Sequence, residues 1–200
     1  MTGFLLLIAA YLIGGIPFGY LLVKWKTGAD VRSVGSGNIG ATNVLRTTGR
    51  SAGVLTLLLD IGKGYLAVWL AGYFLNHSPG WMSGAAVAVI LGHAYPVFLK
   101  FQGGKAVASF VGAFLCLQPE AALATIVVFV AVVAATHFIS LGSIIGAALS
   151  PLAVWLIGHP AWPVVVAAAG CGAFIIWRHR ANMARLLEGT ENVFRFGAKS

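Results

Sequence analysis

From Gly3 to Val23 the chain runs for about 21 residues without a charged side chain, and the pattern recurs along its length. Six further apolar stretches follow, at about Ser51–Leu75, Trp81–Leu99, Ala106–Gln118, Ala121–Ser140, Ser143–Gly158 and Pro163–Trp177. A perpendicular helix needs ~20 such residues to cross ~30 Å of hydrocarbon. Charged residues are only 9% of the 200, against roughly 25% in typical soluble domains. No water-soluble globule of this size covers its surface with so few charges. The pattern predicts an all-α integral membrane protein with about seven transmembrane helices, residues 1–200 forming a single multi-pass domain.

Met1 opens into the first apolar run without a basic flank, and the run exceeds the ~7–15 residues of a signal-peptide core. It reads as a retained span. The fourth and seventh stretches are short for a crossing, and the fourth is also readable as re-entrant. Cys116 and Cys171 sit in apolar runs, without metal-ligand or C-x-x-C spacing, and are expected to pack within the membrane.

Lysine and arginine alone test the topology. With the N-terminus outside, the first inner segment carries Lys24, Lys26, Arg32, Arg46 and Arg50, and the second Lys100 and Lys105. The tail adds Arg178, Arg180, Arg185, Arg195 and Lys199. Twelve of the 13 basic residues thus fall on one side, and the other, Lys63, lies within a span. The expected C-terminus is cytoplasmic. The net charge of +8 becomes a property of one face, suited to anionic headgroups or substrates rather than nucleic acid.

The first inner loop, Lys24–Arg50, is long and rich in Gly, Ser, Asn and Thr, a composition that favours binding over tethering. Within it Gly35–Gly40 reads GSGNIG and matches the glycine pattern of dinucleotide-binding loops. That pattern requires a preceding strand, a following helix and an acidic residue about 20 positions on within a βαβ unit. Here a membrane span precedes it, and Asp60 lies inside an apolar stretch, so the dinucleotide reading fails. The physics of glycine beside an anion still applies: backbone N–H groups approach closely, Ser, Thr and Asn add neutral donors, and Arg46 adds a bidentate charge. A flexible loop with a snorkelling arginine is the plainer alternative.

Gly103-Gly104-Lys105 resembles the end of a nucleotide P-loop, but Leu99 and Ala106 stand where that motif needs Gly and Ser or Thr. A glycine pair beside a lysine at a helix start remains an anion site, with a tight turn as the alternative. In the tail, His179, Asn182 and Arg185 recur at three-residue spacing and share a helical face. A basic amphipathic helix lying on the headgroups is the competing reading. Asp60 and Lys63 lie one turn apart within a span, where mutual neutralisation in a structural or loop-anchoring role is the economical explanation.

These three segments, in this order, resemble the bacterial acyl-phosphate-dependent glycerol-3-phosphate acyltransferases of the PlsY type. The likeness is carried by Ser36-Gly37-Asn38-Ile39-Gly40-Ala41-Thr42-Asn43-Val44-Leu45-Arg46, by Gly92-His93 through Pro96, Phe98 and Phe101 to Gly103-Gly104-Lys105 and Val107-Ala108-Ser109, and by Arg178-His179, Asn182, Arg185-Leu186, Gly189 and Glu191. Asp60-x-x-Lys63-Gly64 also resembles a family feature. Two positions depart from the family pattern: Ala106, where Gly is usual, and Ser109, where Thr is usual.

The resemblance implies acyl transfer from acyl phosphate to the sn-1 hydroxyl of glycerol 3-phosphate, giving lysophosphatidate and inorganic phosphate, on the cytoplasmic face of the bacterial inner membrane. It implies no cofactor and no metal, and neighbouring phospholipid-synthesis enzymes as partners. Ser36, Gly37, Asn38, Gly40, Thr42, Asn43, Gly103, Gly104 and Lys105 are expected around the acyl phosphate. Arg46, Lys105, Ser143, His179, Asn182 and Arg185 are expected around glycerol 3-phosphate, and Asp60, Lys63 and Glu191 as structural residues. Ser36, Arg46, Lys105, His179 and Asn182 form the expected catalytic set, with either His179 or a substrate phosphate accepting the hydroxyl proton. The H-x-x-x-x-D motif of soluble-donor acyltransferases is absent. A transporter of anionic solutes is the rival class, but the polar residues crowd one face, and no inverted repeat supports it.

Overall fold

The computed structural model describes residues 1–194, and all regular structure among them is helical. Arg195 and Lys199 of the predicted basic tail lie outside the described residues. Two compact units are present, one of Met1–Cys116 and a second that begins at Leu117.

The first unit contains α1 (Thr2–Gly15), α2 (Phe18–Thr27), α3 (Ala41–Thr48), α4 (Arg50–Phe74), α5 (Pro79–Ala94) and α6 (Val107–Leu117). The breaks follow local chemistry. Pro17 has no N–H to continue a helix and forces Ile16 into an extended conformation, φ −64° and ψ 114°. That separates α1 from α2 inside what the sequence presents as one apolar run. Pro79 opens α5 at a position where the missing donor costs nothing, and Pro96 follows its end.

Small residues let these helices touch. At the α1–α5 crossing a Cβ on Gly14 would meet the Val89 carbonyl, and one on Gly92 the Tyr11 carbonyl. Gly64 and Gly112 do the same between α4 and α6, against the carbonyls of Ser109 and Ile61. The Tyr11 hydroxyl donates to the Tyr95 carbonyl at 2.6 Å, adding a polar tie beside the first crossing.

The second unit contains α7 (Pro119–Thr136), α8 (Ile139–Ala153), α9 (Trp162–Arg178) and α10 (Arg180–Leu187). Pro151 lies inside α8, and the helix widens into a π turn over Val154–Gly158, as expected where proline removes a ladder hydrogen bond. α9 and α10 meet at 55°.

Among the described residues, five helical stretches are long and apolar enough to cross a membrane: Thr2–Thr27, Arg50–Phe74, Pro79–Leu99, Pro119–Thr136 and Ile139–Gly158. The bent pair α9–α10 makes a sixth if taken as one span. Leu5, Ile8, Leu58, Val127, Val130 and Val166 stand exposed on these helices; in lipid such faces need no cover. A helix lies at each of the seven expected apolar stretches, but α6 has only 11 residues. At 1.5 Å per residue it reaches roughly 16 Å, short of a full crossing.

The expected Lys24–Arg50 loop is also corrected. α2 continues to Thr27, and Ala41–Thr48 is helical, so the irregular segment is much shorter.

Candidate functional site

The first glycine segment is a compact turn rather than a loose loop. Ile39 is buried with Val23, Val31, Val44, Ala52 and Leu99, and pins the turn to the first unit. Asn43, also buried, braces it from inside. Its amide nitrogen donates to the carbonyls of Asn38 at 2.8 Å, Val34 at 3.1 Å and Val31 at 3.2 Å, and its Oδ1 accepts from the Ser36 N–H at 2.8 Å. Gly35 and Gly37 take φ of 59° and 69°, values that disfavour residues with a Cβ. Asn38 Oδ1 accepts from the Gly40 N–H at 2.8 Å, closing the turn just before α3.

The result presents the exposed Ser36 and the first-turn N–H groups of α3, where Thr42 stands half-buried. Arg46 follows one turn later on the exposed side of the same helix. The Asn43 side chain, expected to contact phosphate, is engaged within the turn instead.

Arg32 is drawn elsewhere. It holds Asp30 through its own N–H and its guanidinium, the closest contact being 2.6 Å. The hydrogen bonds from Arg32 keep the Asp30 carboxyl below its ordinary range, and the same pairing raises the guanidinium. The pair joins Tyr20, Lys100 and Gln102 in lining an open hollow of about 540 Å³.

In the second glycine segment the chain doubles back along the end of α5. The Gly103 N–H donates to the Ala94 carbonyl at 3.2 Å, and the Gly104 N–H to the His93 carbonyl at 3.1 Å. A Cβ on Gly103 would meet the His93 carbonyl, and one on Gly104 would meet His93 Nε2. Here glycine is required by close approach, not by φ. Lys105, half-buried, precedes α6. Ala106 adopts φ 63°, left-handed geometry that explains why glycine suits this position.

The third segment belongs to the second unit and centres on Glu191. Oε1 accepts from Asn182 Nδ2 at 2.8 Å and from the Ser140 hydroxyl at 3.0 Å, and Oε2 from Arg185 Nε at 2.8 Å. Burial alone would raise this carboxyl, but the three donors outweigh it and hold it below the usual glutamate range. Gly189, at φ 68°, turns the chain after α10. The Phe194 N–H reaches the His137 carbonyl at 2.7 Å, bringing the tail back across the start of α8.

His179 is buried at the break between α9 and α10, with Nδ1 2.8 Å from the Ile175 carbonyl. A carbonyl only accepts, so Nδ1 carries a proton in this contact.

Ser143, expected around glycerol 3-phosphate, is a helical residue. It lies within α8, and its hydroxyl donates to the Ile139 carbonyl at 2.9 Å. Ser140, not among the residues expected at the site, makes the contact with Glu191. Both serines follow the polar break at His137, and nothing in their spacing distinguishes them. Among the described residues no three of His, Cys, Asp and Glu gather as a metal ion would require.

A family model described as glycerol-3-phosphate acyltransferase matches residues 4–189. The chain is 41% identical over 199 residues to the glycerol-3-phosphate acyltransferase of Desulforamulus reducens, covering 100% of this chain and 98% of that protein. It is 46% identical to the protein of that name from Trichlorobacter lovleyi, covering 98% and 100%. Among solved structures it is similar to PlsY, an integral membrane glycerol 3-phosphate acyltransferase, in its glycerol 3-phosphate form: TM-score 0.92, 39% identity, 98% of this chain and 96% of that one. The lysophosphatidic acid form gives a TM-score of 0.89 at 37% identity, with the same shares.

Proposed function

Because this chain belongs to the glycerol-3-phosphate acyltransferase family, in its PlsY type, we propose that it takes the acyl group from acyl phosphate and delivers it to the sn-1 hydroxyl of glycerol 3-phosphate. The observation that carries this reading is the pair of braced glycine segments in the first unit, each with a cation beside it, within a full-length likeness to that family. Acyl phosphate is a mixed anhydride, already activated. The enzyme then needs to hold phosphate, present a hydroxyl and stabilise the charge that develops on the carbonyl oxygen.

In this reaction the sn-1 oxygen attacks the acyl carbon, the bond from that carbon to the phosphate oxygen breaks, and inorganic phosphate leaves. Ser36, Thr42 and the Asn38 N–H serve the acyl-phosphate group, while Gly37, Gly40, Gly103 and Gly104, whose own N–H groups donate within the fold, shape the two segments around it. Arg46 and Lys105 supply positive charge to phosphate. Asn43 acts through the turn it braces, not by contact. Asn182 and Arg185 hold glycerol 3-phosphate, while Glu191 keeps both side chains in place. His179, held through Nδ1 by the Ile175 carbonyl, accepts the hydroxyl proton. The N-terminus lies outside and the C-terminus in the cytoplasm of a bacterial inner membrane, so that the basic segments face the water-soluble substrate.

The test incubates purified full-length protein with labelled glycerol 3-phosphate and, in separate arms, acyl phosphate, acyl-coenzyme A or acyl carrier protein. Lysophosphatidate labelled only in the acyl-phosphate arm is expected. Product from a thioester donor and none from acyl phosphate overturns the donor assignment.

A further inference from the structure

The open hollow in the first unit lies where two apolar spans finish. Its volume of about 540 Å³ is lined in part by Tyr20, Asp30, Arg32, Phe98, Lys100 and Gln102. The stretch Thr2–Thr27 ends shortly before Asp30, and Pro79–Leu99 ends just before Lys100. The Phe98 ring packs beside Gly15, back along the first span, while the charged residues stand beyond the span ends. The hollow is thus apolar at its deep end and charged at its outer end, at the border between hydrocarbon and water. Trp25, 85% exposed in the last turn of α2, and Phe101, 58% exposed beside Lys100, add aromatic surface near this level. Such surface settles among lipid headgroups.

The cations near the hollow are not equivalent. Lys24 Nζ donates to the Gly28 carbonyl at 2.8 Å, and Lys26 Nζ to the Thr48 carbonyl at 3.3 Å. Arg32 commits Nε and Nη2 to Asp30, and its Cζ lies 5.5 Å from the centre of the Tyr20 ring. That clamp fixes the guanidinium, yet Nη1 makes no hydrogen bond among the described residues. The Lys100 ammonium likewise has no hydrogen bond or ion pair among the described residues. The buried Asp60–Lys63 pair, 2.8 Å apart, is the opposite case, its ammonium also satisfied by the Ile16 carbonyl at 2.9 Å.

The turn that presents Lys100 is firmly held. The Pro96 carbonyl accepts from the N–H groups of Leu99 at 3.1 Å and Phe101 at 2.9 Å, and the Leu99 carbonyl from Gln102 at 3.1 Å. Lys100 and Phe101 both take left-handed angles, φ 52° and 63°, with no glycine at either position. Strain of this kind clusters where a side chain must be aimed at a ligand.

Arg32 and Asp30 cancel, so the lining carries one net positive charge, from Lys100, beside the neutral polar groups of Tyr20 and Gln102. A phosphodiester carries a single negative charge and matches that balance. A headgroup amine would need a free carboxylate, but both Asp30 oxygens already accept from Arg32. We infer that the hollow holds the headgroup of an anionic phosphodiester lipid of the phosphatidylglycerol class, its phosphate between Arg32 Nη1 and Lys100 Nζ and its acyl end leaving past Phe98. The bound headgroup bridges Val31–Ser33 and Pro96–Gln102, the turns that lead into the two glycine segments. It takes no part in acyl transfer, and none of these side chains is assigned to the reaction above.

The test follows thermal unfolding of the full-length protein in phospholipid-free detergent as dioleoyl phosphatidylglycerol is added. The melting temperature of wild type rises to saturation, because a ligand that binds only the folded state stabilises it. One basic residue at a lipid surface contributes about fivefold in affinity. Lys100→Gln therefore raises the mole fraction of lipid at half effect about fivefold, and Lys100→Gln with Arg32→Gln about 25-fold. Turnover of Lys100→Gln without phospholipid stays at the wild-type level. Lys100→Gly separates folding from binding: without lipid it melts no lower than wild type, since glycine relieves the left-handed strain, yet its lipid response weakens as in Lys100→Gln.

Phosphatidylcholine matching phosphatidylglycerol overturns the inference, as does a phosphatidylglycerol response that the variants leave unchanged. So does an equal, Lys100-dependent response to inorganic phosphate alone, which would make this a site for soluble anions. A tighter response to phosphatidylethanolamine would assign an amine to the hollow, and lost turnover in Lys100→Gln would place the hollow in the reaction; either result overturns it too.

Discussion

The two glycine segments of the first unit look alike in sequence and are built on different physics. Gly35–Gly40 is held from within, by the one amide of Asn43, and its glycines serve backbone angles. Gly103-Gly104 is held from outside, by the end of α5, and its glycines make room for a neighbour. The first turn is therefore braced by its own residues and anchored to the core through Ile39, while the second is positioned entirely by the helix it packs against. A glycine pattern reveals where a backbone needs freedom or space but not which of the two.

That contrast predicts unequal costs for one added methyl group. Gly103→Ala drives a Cβ into the His93 carbonyl and the Pro96 ring, and backbone atoms there cannot step aside. Loss of about 100-fold or more in kcat/KM is expected. Gly37→Ala meets only the Arg32 carbonyl, at 3.2 Å, and should cost about 1–2 kcal/mol of left-handed strain. Steady-state kinetics and thermal melts of the two variants measure the difference; equal effects would erase the distinction.

Asn43→Asp probes the internal brace. The carboxylate would point an oxygen at the carbonyls of Val31, Val34 and Asn38 where a donor now stands. A destabilisation of about 3 kcal/mol is expected, the upper range for stranding buried partners, with Asn43→Ala close behind. A melting temperature unchanged in both variants would show that the turn is held by Ile39 alone.

The tail network should titrate. Because the folded Glu191 carboxyl is held below its unfolded value, its stabilising contribution is complete above the ordinary glutamate range. It disappears as pH falls through the lower folded value. Glu191→Gln keeps a partner for Asn182 but loses the charge facing Arg185, at a cost of about 1 kcal/mol for this half-exposed pair. Acid melts should converge for wild type and variant only below that lower folded value; a constant gap would contradict the assignment.

The smallest effect is at Ala106. Replacing it by glycine relieves about 1 kcal/mol of left-handed strain and removes one buried methyl worth about 0.8 kcal/mol. These nearly cancel, so a clear loss of stability on Ala106→Gly would mean the methyl packs better than its backbone angle suggests.

Much of the candidate site could be selected from the sequence because its chemistry recurs in short runs. Ser36–Arg46, Gly103–Lys105 and His179–Arg185 could be selected on residue type and spacing. What escaped was the division of labour inside each run. Asn43 and Ser36 look equally able to touch a ligand until the turn closes on one of them. Ser143 and Ser140 are interchangeable in sequence, but only Ser140 meets the returning tail. Glu191 could be assigned as an organiser, while its three partners depended on how the chain folds back after Gly189.

The sequence by itself determined the solvent this chain needs, the helical class, and the chain breaks at Pro79, Pro96 and Pro119, because hydrophobicity and proline geometry act over a few neighbouring residues. The tertiary structure decided that Ala106 sits in a conformation made for glycine, that Gly103 and Gly104 pack against the end of α5, and that Ser140 meets Glu191. Those outcomes depend on contacts between distant residues, whose strength comes from burial and precise approach that no local pattern encodes.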